Sequence, residues 1–165
     1  MIGAVAEAVT RAVKLVLGAV MAAIVLITVA AVWWRYVLNA PIAWTEQVSN
    51  MLFVWTVFLG AAVLYREKLH IGVDMFLEML PAPAKEIAFW AIEIGNLVFI
   101  LVLFVYGLKL SIDVLPQQMG ALDITPAVYY FAAPVSCALM ILYFVEKIVD
   151  PAKRVRTGHA GEFEF

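Results

Sequence analysis

The chain has 165 residues, of which 65% are hydrophobic and 15% are charged, and its formal net charge is −2. A soluble domain is typically about half apolar and about a quarter charged, so this composition excludes an ordinary water-soluble protein and predicts an all-α integral membrane protein. The sequence has no basic, aromatic-interleaved patch, which excludes nucleic-acid binding; its single cysteine, Cys137, excludes an internal disulfide or a CxxC redox pair.

The first apolar segment predicts a membrane-spanning helix over about Val13 to Tyr36. Its hydrophobic stretch is too long for a signal peptide and ends in Trp-Trp-Arg instead of a small-residue cleavage site, so we expect it to be retained. Trp33, Trp34 and Tyr36 close this span, and such an aromatic cluster is typical of a membrane–water boundary.

A short turn joins the first span to the second. Asn39 and Pro41 interrupt the helical pattern there, and Trp44 is expected to anchor at the membrane surface. We expect Thr45 to cap the second helix, with Glu46 in its first turn beside the positive end of the helix dipole.

Arg35 and Glu46 lie at the ends of adjacent spans on the same side of the membrane. We expect them to form an ion pair that closes the hairpin. The alternative is that one of the two contacts a protein partner.

The second span is predicted to end near Tyr65. One of its faces carries polar residues at its start and small residues near its end. This face carries Glu46, Asn50, Phe53, Val57 and Gly60, at steps of four, three, four and three residues. The small residues Gly60, Ala61 and Ala62 would let another helix approach closely.

A short amphipathic helix lying in the membrane interface is predicted between the second and third spans, over Arg66 to Leu80. His70, Asp74 and Glu78 recur there at four-residue steps opposite an apolar side, and the prolines that follow would end the helix. His70 and Asp74 are spaced like two metal ligands, but no third or fourth ligand is evident. A solvated helix face is therefore favoured, and neither a metal nor a cofactor is expected.

The remaining spans are predicted over about Ile87 to Leu110 and from Thr125-Pro126 to about Ile148, with a polar loop between them. Pro134 lies inside the last span and predicts a kink. The whole membrane domain is assigned to residues 1–149, and residues 150–165 are expected to form a cytoplasmic tail.

Glu93 is a carboxyl group about two turns inside the third span, and Asn96 follows one turn later on the same face. Intramembrane acids raise the hypothesis of an ion or proton relay. The other interpretation is structural: a hydrogen bond between helices, or an ion pair with Arg66 or Lys68. Because the other spans supply few polar groups, the structural interpretation is favoured.

The basic residues predict the orientation, since cytoplasmic segments carry an excess of Lys and Arg. Four spans place both termini on one side, and only Arg35 and Lys109 fall on the opposite side. The other nine basic residues fall on the side of the termini, which is therefore predicted to be cytoplasmic: Arg11, Lys14, Arg66, Lys68, Lys85, Lys147, Lys153, Arg154 and Arg156.

Catalysis is not expected, because no nucleophile elbow, phosphate loop or zinc motif is present. Two other functions, a membrane enzyme and a self-sufficient channel or carrier, would each require a different arrangement of polar residues. A membrane enzyme would need catalytic groups clustered at one depth, and none is seen. A self-sufficient small channel or carrier would need a polar stripe on several spans, whereas the sequence shows Glu93 and Asn96 on one.

The segment from Arg35 to Asp74 resembles the small membrane subunit of tripartite ATP-independent periplasmic (TRAP) transporters, the DctQ-type family. The resemblance covers roughly residues 15–150. One departure is Gln47, where the resemblance leads us to expect a second acid after Glu46. The ordered set that carries the resemblance is Arg35-Tyr36, Asn39, Pro41, Trp44, Glu46, Phe58-Leu59-Gly60-Ala61-Ala62, Arg66, His70 and Asp74.

This resemblance implies a bacterial or archaeal inner-membrane protein within a three-part, sodium-coupled transporter. A periplasmic substrate-binding protein would capture an organic anion such as a carboxylate, and a large membrane subunit would carry it across. The small four-helix subunit would brace the large one in the lipid bilayer, and the residues singled out above would serve its structure or its partner interface.

Overall fold

The computed structural model describes residues 2–67, 81–118 and 122–149, and these residues form five helices. They are α1 (Ile2–Tyr36), α2 (Trp44–Glu67), α3 (Ala82–Asp113), the short α4 (Ala127–Tyr130) and α5 (Ala132–Val149). Most of the predicted interfacial helix, with His70 and Asp74, lies outside the described residues, as does the predicted tail over 150–165.

Within the described residues, four segments are long and apolar enough to cross a membrane, which confirms the predicted number of spans and makes this a multi-pass membrane protein. They are Val5–Tyr36, Trp44–Glu67, Ala84–Asp113 and Ala127–Lys147, the last comprising α4 and most of α5.

Two helices are longer than their predicted spans. α1 begins at Ile2 instead of near Val13, because no helix breaker separates the first residues from the apolar run, and this extension buries Ala6 and Thr10. α3 begins at Ala82, directly after Pro81. Pro83 falls in the first turn, where a helix tolerates the missing N–H, so the prolines begin this helix.

The turn between α1 and α2 lies where the sequence predicts it. Backbone hydrogen bonds from Val37 to Trp33 and from Ala40 to Trp34 close the end of α1. Asn39 has a φ of 50°, in the left-handed region that Asn adopts more readily than most residues. The expected Thr45 cap is wrong, because the helix already begins at Trp44 and the Thr45 hydroxyl donates to the Ile42 carbonyl at 2.8 Å.

The last span is interrupted at Phe131, between α4 and α5. Pro134 has no N–H to donate, which leaves the carbonyl four residues earlier without its helical partner and accounts for an interruption at this place. Gly107 of α3 lies opposite: a Cβ there would be 3.4 Å from Pro134 Cδ and 3.6 Å from Ala133 Cβ. The two helices therefore approach closely because one of them carries glycine at the crossing.

The long helices form an open row in the order α1, α2, α5, α3, with α2 and α5 in the middle. A small cluster of Ala6, Ala62 and Tyr143 joins the first three of these helices. In the most apolar stretch of α1 no residue is buried. In the most apolar stretch of Ala127–Lys147, by contrast, 33% of the residues are buried. The row therefore leaves most apolar side chains of its edge helices available to lipid or to another protein.

Candidate functional surfaces

A buried ion pair lies at the end of the row that carries most of the basic residues. Arg66 Nε donates to Glu146 Oε2 and Arg66 Nη2 donates to Glu146 Oε1, both at 3.1 Å. The Glu146 side chain is 5% exposed and that of Arg66 is 17% exposed. The guanidinium also lies 5.5 Å from the centroid of the Tyr143 ring. This two-point geometry fixes α2 against α5, because both carboxylate oxygens and the guanidinium plane are engaged.

Glu93 pairs with Lys147, so α3 is also joined to α5. Lys147 Nζ lies 2.5 Å from Glu93 Oε1 and 5.1 Å from the centroid of the Phe89 ring. The sequence suggests Arg66 or Lys68 as the partner of Glu93. Arg66 is wrong, because it pairs with Glu146, and Lys68 lies outside the described residues. Asn96 is half-buried one turn further along α3.

The first helix is joined to the row at the same end. Lys14 of α1 forms an ion pair with Glu67 of α2, and the Thr10 hydroxyl lies 3.0 Å from the Tyr143 hydroxyl of α5. We name the ionic groups at this end the basic-end cluster; it consists of Lys14, Arg66, Glu67, Glu93, Glu146 and Lys147.

Sequence reasoning missed Glu146. The available signal is an acid next to Lys147 near the end of the last span, on the same predicted side of the membrane as Arg66 and Glu93. The sequence signal is weak, because an acid next to a base at a helix end, such as Glu146 beside Lys147, is typical of two charges that both face water.

A cleft of about 460 Å³ opens at the opposite end, between α1 and α2. Six of the residues singled out from the sequence line it: Arg35, Tyr36, Pro41, Thr45, Glu46 and Asn50. The expected ion pair between Arg35 and Glu46 is wrong, since the ion pairs of the described chain are those of the basic-end cluster. Both charges instead face one shared space.

The predicted face of α2 is exposed along most of its length. Phe53 is 60% exposed and Val57 is 51% exposed, and a Cβ on Gly60 would meet no atom within 4 Å. Ala62, two residues on, is buried in the cluster with Ala6 and Tyr143, while Ala61 is half-buried between them. The predicted small-residue patch is therefore divided between an outward and an inward side.

Polar contacts tie the start of the last span to α2. The Tyr129 hydroxyl donates to the Gln47 carbonyl at 2.8 Å, the Leu122 amide donates to Gln47 Oε1 at 3.3 Å, and Trp55 Nε1 donates to the Val128 carbonyl at 3.0 Å. Gln47 thus accepts one hydrogen bond from the loop before α4 and one from α4 itself.

No three His, Cys, Asp or Glu side chains converge as metal ligands within residues 2–67, 81–118 and 122–149. Within the described spans, the paired charges belong to the basic-end cluster, and Arg35 and Glu46 lie at the opposite end around the cleft. This distribution is that of a helical framework with two polar ends.

Comparison with known proteins finds similarity to one transporter family. Residues 24–154 match the family model described as the DctQ component of tripartite ATP-independent periplasmic transporters. The chain is 26% identical over 133 residues to the sialic acid TRAP transporter small permease protein SiaQ of Vibrio cholerae, covering 81% of this chain and 77% of SiaQ.

Two further relatives differ in length from this chain. The sialic acid TRAP transporter permease protein SiaT of Haemophilus influenzae is 26% identical over 130 residues, which cover 78% of this chain and 21% of SiaT. The C4-dicarboxylate TRAP transporter small permease protein DctQ of Vibrio cholerae is 34% identical over 67 residues, which cover 41% of this chain and 29% of that protein.

Proposed function

The chain belongs to the DctQ family of tripartite ATP-independent periplasmic (TRAP) transporters and is a small permease subunit, not an enzyme; we propose that it acts as the scaffold that braces a large transport subunit during sodium-coupled uptake of an organic anion. The observation that carries this proposal is the open row of helices with apolar, largely exposed outer faces.

A partner subunit explains why the row stays open. In a bilayer, apolar side chains gain little from leaving lipid for another apolar surface, so helices associate through close packing and polar contacts. The exposed face of α2 offers such a place, because Gly60 leaves room for a neighbouring backbone beside Phe53 and Val57. We assign this face to contact with the large subunit.

The match to SiaT supports the same partner. This chain aligns with only 21% of that permease protein, so a segment like this one is joined there to a much larger part of the same polypeptide. We infer that the larger part corresponds to the transport subunit with which this chain assembles.

The substrate class follows from the relatives. SiaQ and DctQ of Vibrio cholerae are named for sialic acid and C4-dicarboxylates, which are carboxylates. We therefore propose an organic anion such as a carboxylate, delivered by a periplasmic substrate-binding protein.

The orientation rests on the distribution of charge. Lys14, Arg66 and Lys147 meet at one end of the row, while Arg35 lies at the other. Since basic residues favour the cytoplasmic side, we propose that both termini and the predicted interfacial helix with His70 and Asp74 are cytoplasmic. The cleft and the loop before α4 would then face the periplasm of a bacterial or archaeal inner membrane.

A self-sufficient channel or carrier is the competing function, and the charge distribution disfavours it. A carboxylate needs a polar path or carrier site to cross about 30 Å of hydrocarbon. Glu93, the carboxylate furthest from the ends of α3, is already paired with Lys147.

Reconstitution tests the proposed function. Liposomes with an inward sodium gradient would receive a binding protein and either this chain alone or this chain with the large subunit that copurifies with it. Substrate uptake is expected only with both subunits. Sustained gradient-driven uptake by this chain alone would overturn the scaffold role and support a carrier.

A further inference from the structure

We propose that the cleft between α1 and α2 binds the headgroup of a zwitterionic aminophospholipid of the phosphatidylethanolamine type. Its volume of about 460 Å³ falls in the range that holds small ligands. This inference concerns the lipid contact of the chain and does not depend on the transported substrate or on the large subunit.

The charges in the cleft match such a headgroup. Arg35 and Glu46 both line the cleft and do not pair with each other. A guanidinium binds phosphate through several N–H groups in one plane, and a carboxylate attracts a primary ammonium that can also donate hydrogen bonds to it. A ligand with one phosphate and one ammonium can pair with Arg35 on α1 and with Glu46 on α2. An anionic lipid without an ammonium can pair only with Arg35.

The depth of the cleft favours a lipid over a free anion. On α1 the lining runs from Arg35 back to Thr28, which is about 10 Å along a helix. Ala31 and Val32 lie between them, so the α1 wall continues from a charged rim to an apolar floor, while the α2 wall stays polar at Ser49 and Asn50. A phospholipid places its glycerol and upper acyl chains along such a floor, while inorganic phosphate would use the rim alone.

The position of the cleft agrees with a headgroup level. Tyr36 lines the cleft, and Trp33 and Trp34 lie in the same turn of α1; aromatic side chains of this kind mark the membrane–water boundary. On the α2 side, Ser49 and Asn50 add a hydroxyl and an amide below Glu46. Donors and acceptors are therefore present on both walls at the depth where headgroups lie.

Native mass spectrometry tests the proposal on the full chain, purified in detergent with any subunit it retains and then delipidated. Phosphatidylethanolamine, phosphatidylglycerol and inorganic phosphate would be titrated separately. We expect Arg35→Gln to weaken phosphatidylethanolamine binding about tenfold, as for the loss of a hydrogen-bonded charge. Arg35→Lys should retain most of it, and Glu46→Gln should abolish the preference for phosphatidylethanolamine over phosphatidylglycerol.

Lys109→Gln and Asp113→Asn are the matched controls, because both residues are exposed charges on α3 outside the cleft. They should leave lipid affinity unchanged. A photoactivatable phosphatidylethanolamine should crosslink the unsubstituted protein within residues 28–50, which tests the site without relying on any variant.

Three results would overturn the proposal. The first is equal lipid affinity in Arg35→Gln and Lys109→Gln. The second is displacement of the lipid by inorganic phosphate, which would mark a simple anion site. The third is unchanged lipid affinity in the cleft variants together with lost binding of another subunit, which would assign the cleft to a protein contact.

Discussion

At the scale of single residues, the pair of Arg66 and Glu146 is the best-buried charge interaction among the described residues. The sequence places each at a span end but cannot pair them, because the pairing depends on α5 lying beside α2. Removing one partner of a buried pair leaves the other charge uncompensated, which costs more than the pair itself contributes.

We expect Glu146→Gln to lower the free energy of unfolding by about 1–3 kcal/mol, because the Arg66 charge would remain buried at the α2–α5 contact. Denaturation in detergent followed by circular dichroism would measure this. Glu67→Gln is the matched control, since its partner Lys14 is half exposed and exposed pairs contribute about 0–1 kcal/mol. Equal destabilisation by both substitutions would contradict a special role of the buried pair.

Glu93 permits a separate prediction at the same scale. Glu93→Gln removes the charge that pairs with Lys147 but keeps the size and hydrogen-bonding reach of the side chain. Stability is expected to fall by about 1–2 kcal/mol, as for polar contacts between membrane helices. Ion-coupled transport per assembled complex should persist, and uptake assays normalised to the purified complex would measure it. Normal assembly with lost sodium or proton coupling would instead establish a relay.

At the scale of the helices, hydropathy predicts where spans exist but not which side of each faces the protein. In a bilayer the lipid-facing and the buried sides of a helix are both apolar, so periodicity carries little information about orientation. This is why the sequence predicts Gly60 and Ala62 on one patch, although Ala62 is buried and a Cβ on Gly60 would meet no other atom within 4 Å. The extension of α1 to Ile2 is not evident from the sequence, because Glu7, Arg11 and Lys14 interrupt the apolar pattern before the main run.

Two glycines distinguish internal packing from partner contact. Gly107→Leu should destabilise the isolated chain, because its side chain would press on Pro134 and Ala133. Gly60→Leu has open space around it, so we expect it to leave the stability of the isolated chain unchanged while loosening the complex with the large subunit and reducing uptake. Melting of the isolated chain and copurification of the large subunit would be measured for both.

Gly95→Leu is the control that tests whether the large subunit contacts the Gly60 face of α2 or a face of α3. A Cβ at Gly95 also meets no atom within 4 Å, but this glycine lies on α3, an edge helix of the row, whereas Gly60 lies on the middle helix α2. Loss of the large subunit in Gly95→Leu with retention in Gly60→Leu would move the partner interface from α2 to α3.

At the scale of the whole molecule, the number of spans and the turn after α1 could be predicted from composition and from Asn39 and Pro41. The order of the helices in the row could not, because it is set by contacts between residues distant in sequence, such as Trp55 with Val128 and Arg66 with Glu146. The cleft could not be predicted from the sequence, because Arg35 and Glu46 were expected to pair. In the structure both residues instead line the cleft.

The proposed orientation gives a prediction for the whole chain. In a Cys137→Ser background, a cysteine at Gln118 should react with a membrane-impermeant reagent in cells whose outer membrane has been permeabilised. A cysteine at Lys85 should react only after the inner membrane is also opened, because the basic end is placed in the cytoplasm. Both residues are exposed in the structure. Labelling of position 85 but not of position 118 would reverse the orientation.

The order of the row has a consequence for biogenesis. Helices leave the ribosome in chain order, yet α5, the last, lies between α2 and α3. The hairpin of α1 and α2 must therefore stay separate from α3 until α5 enters the bilayer between them. Arg66 cannot form its ion pair before then, because Glu146 is 80 residues further along the chain. Nascent chains halted before α5 should accordingly be open to quality-control proteases, and completion of the last helix should be the event that makes them resistant.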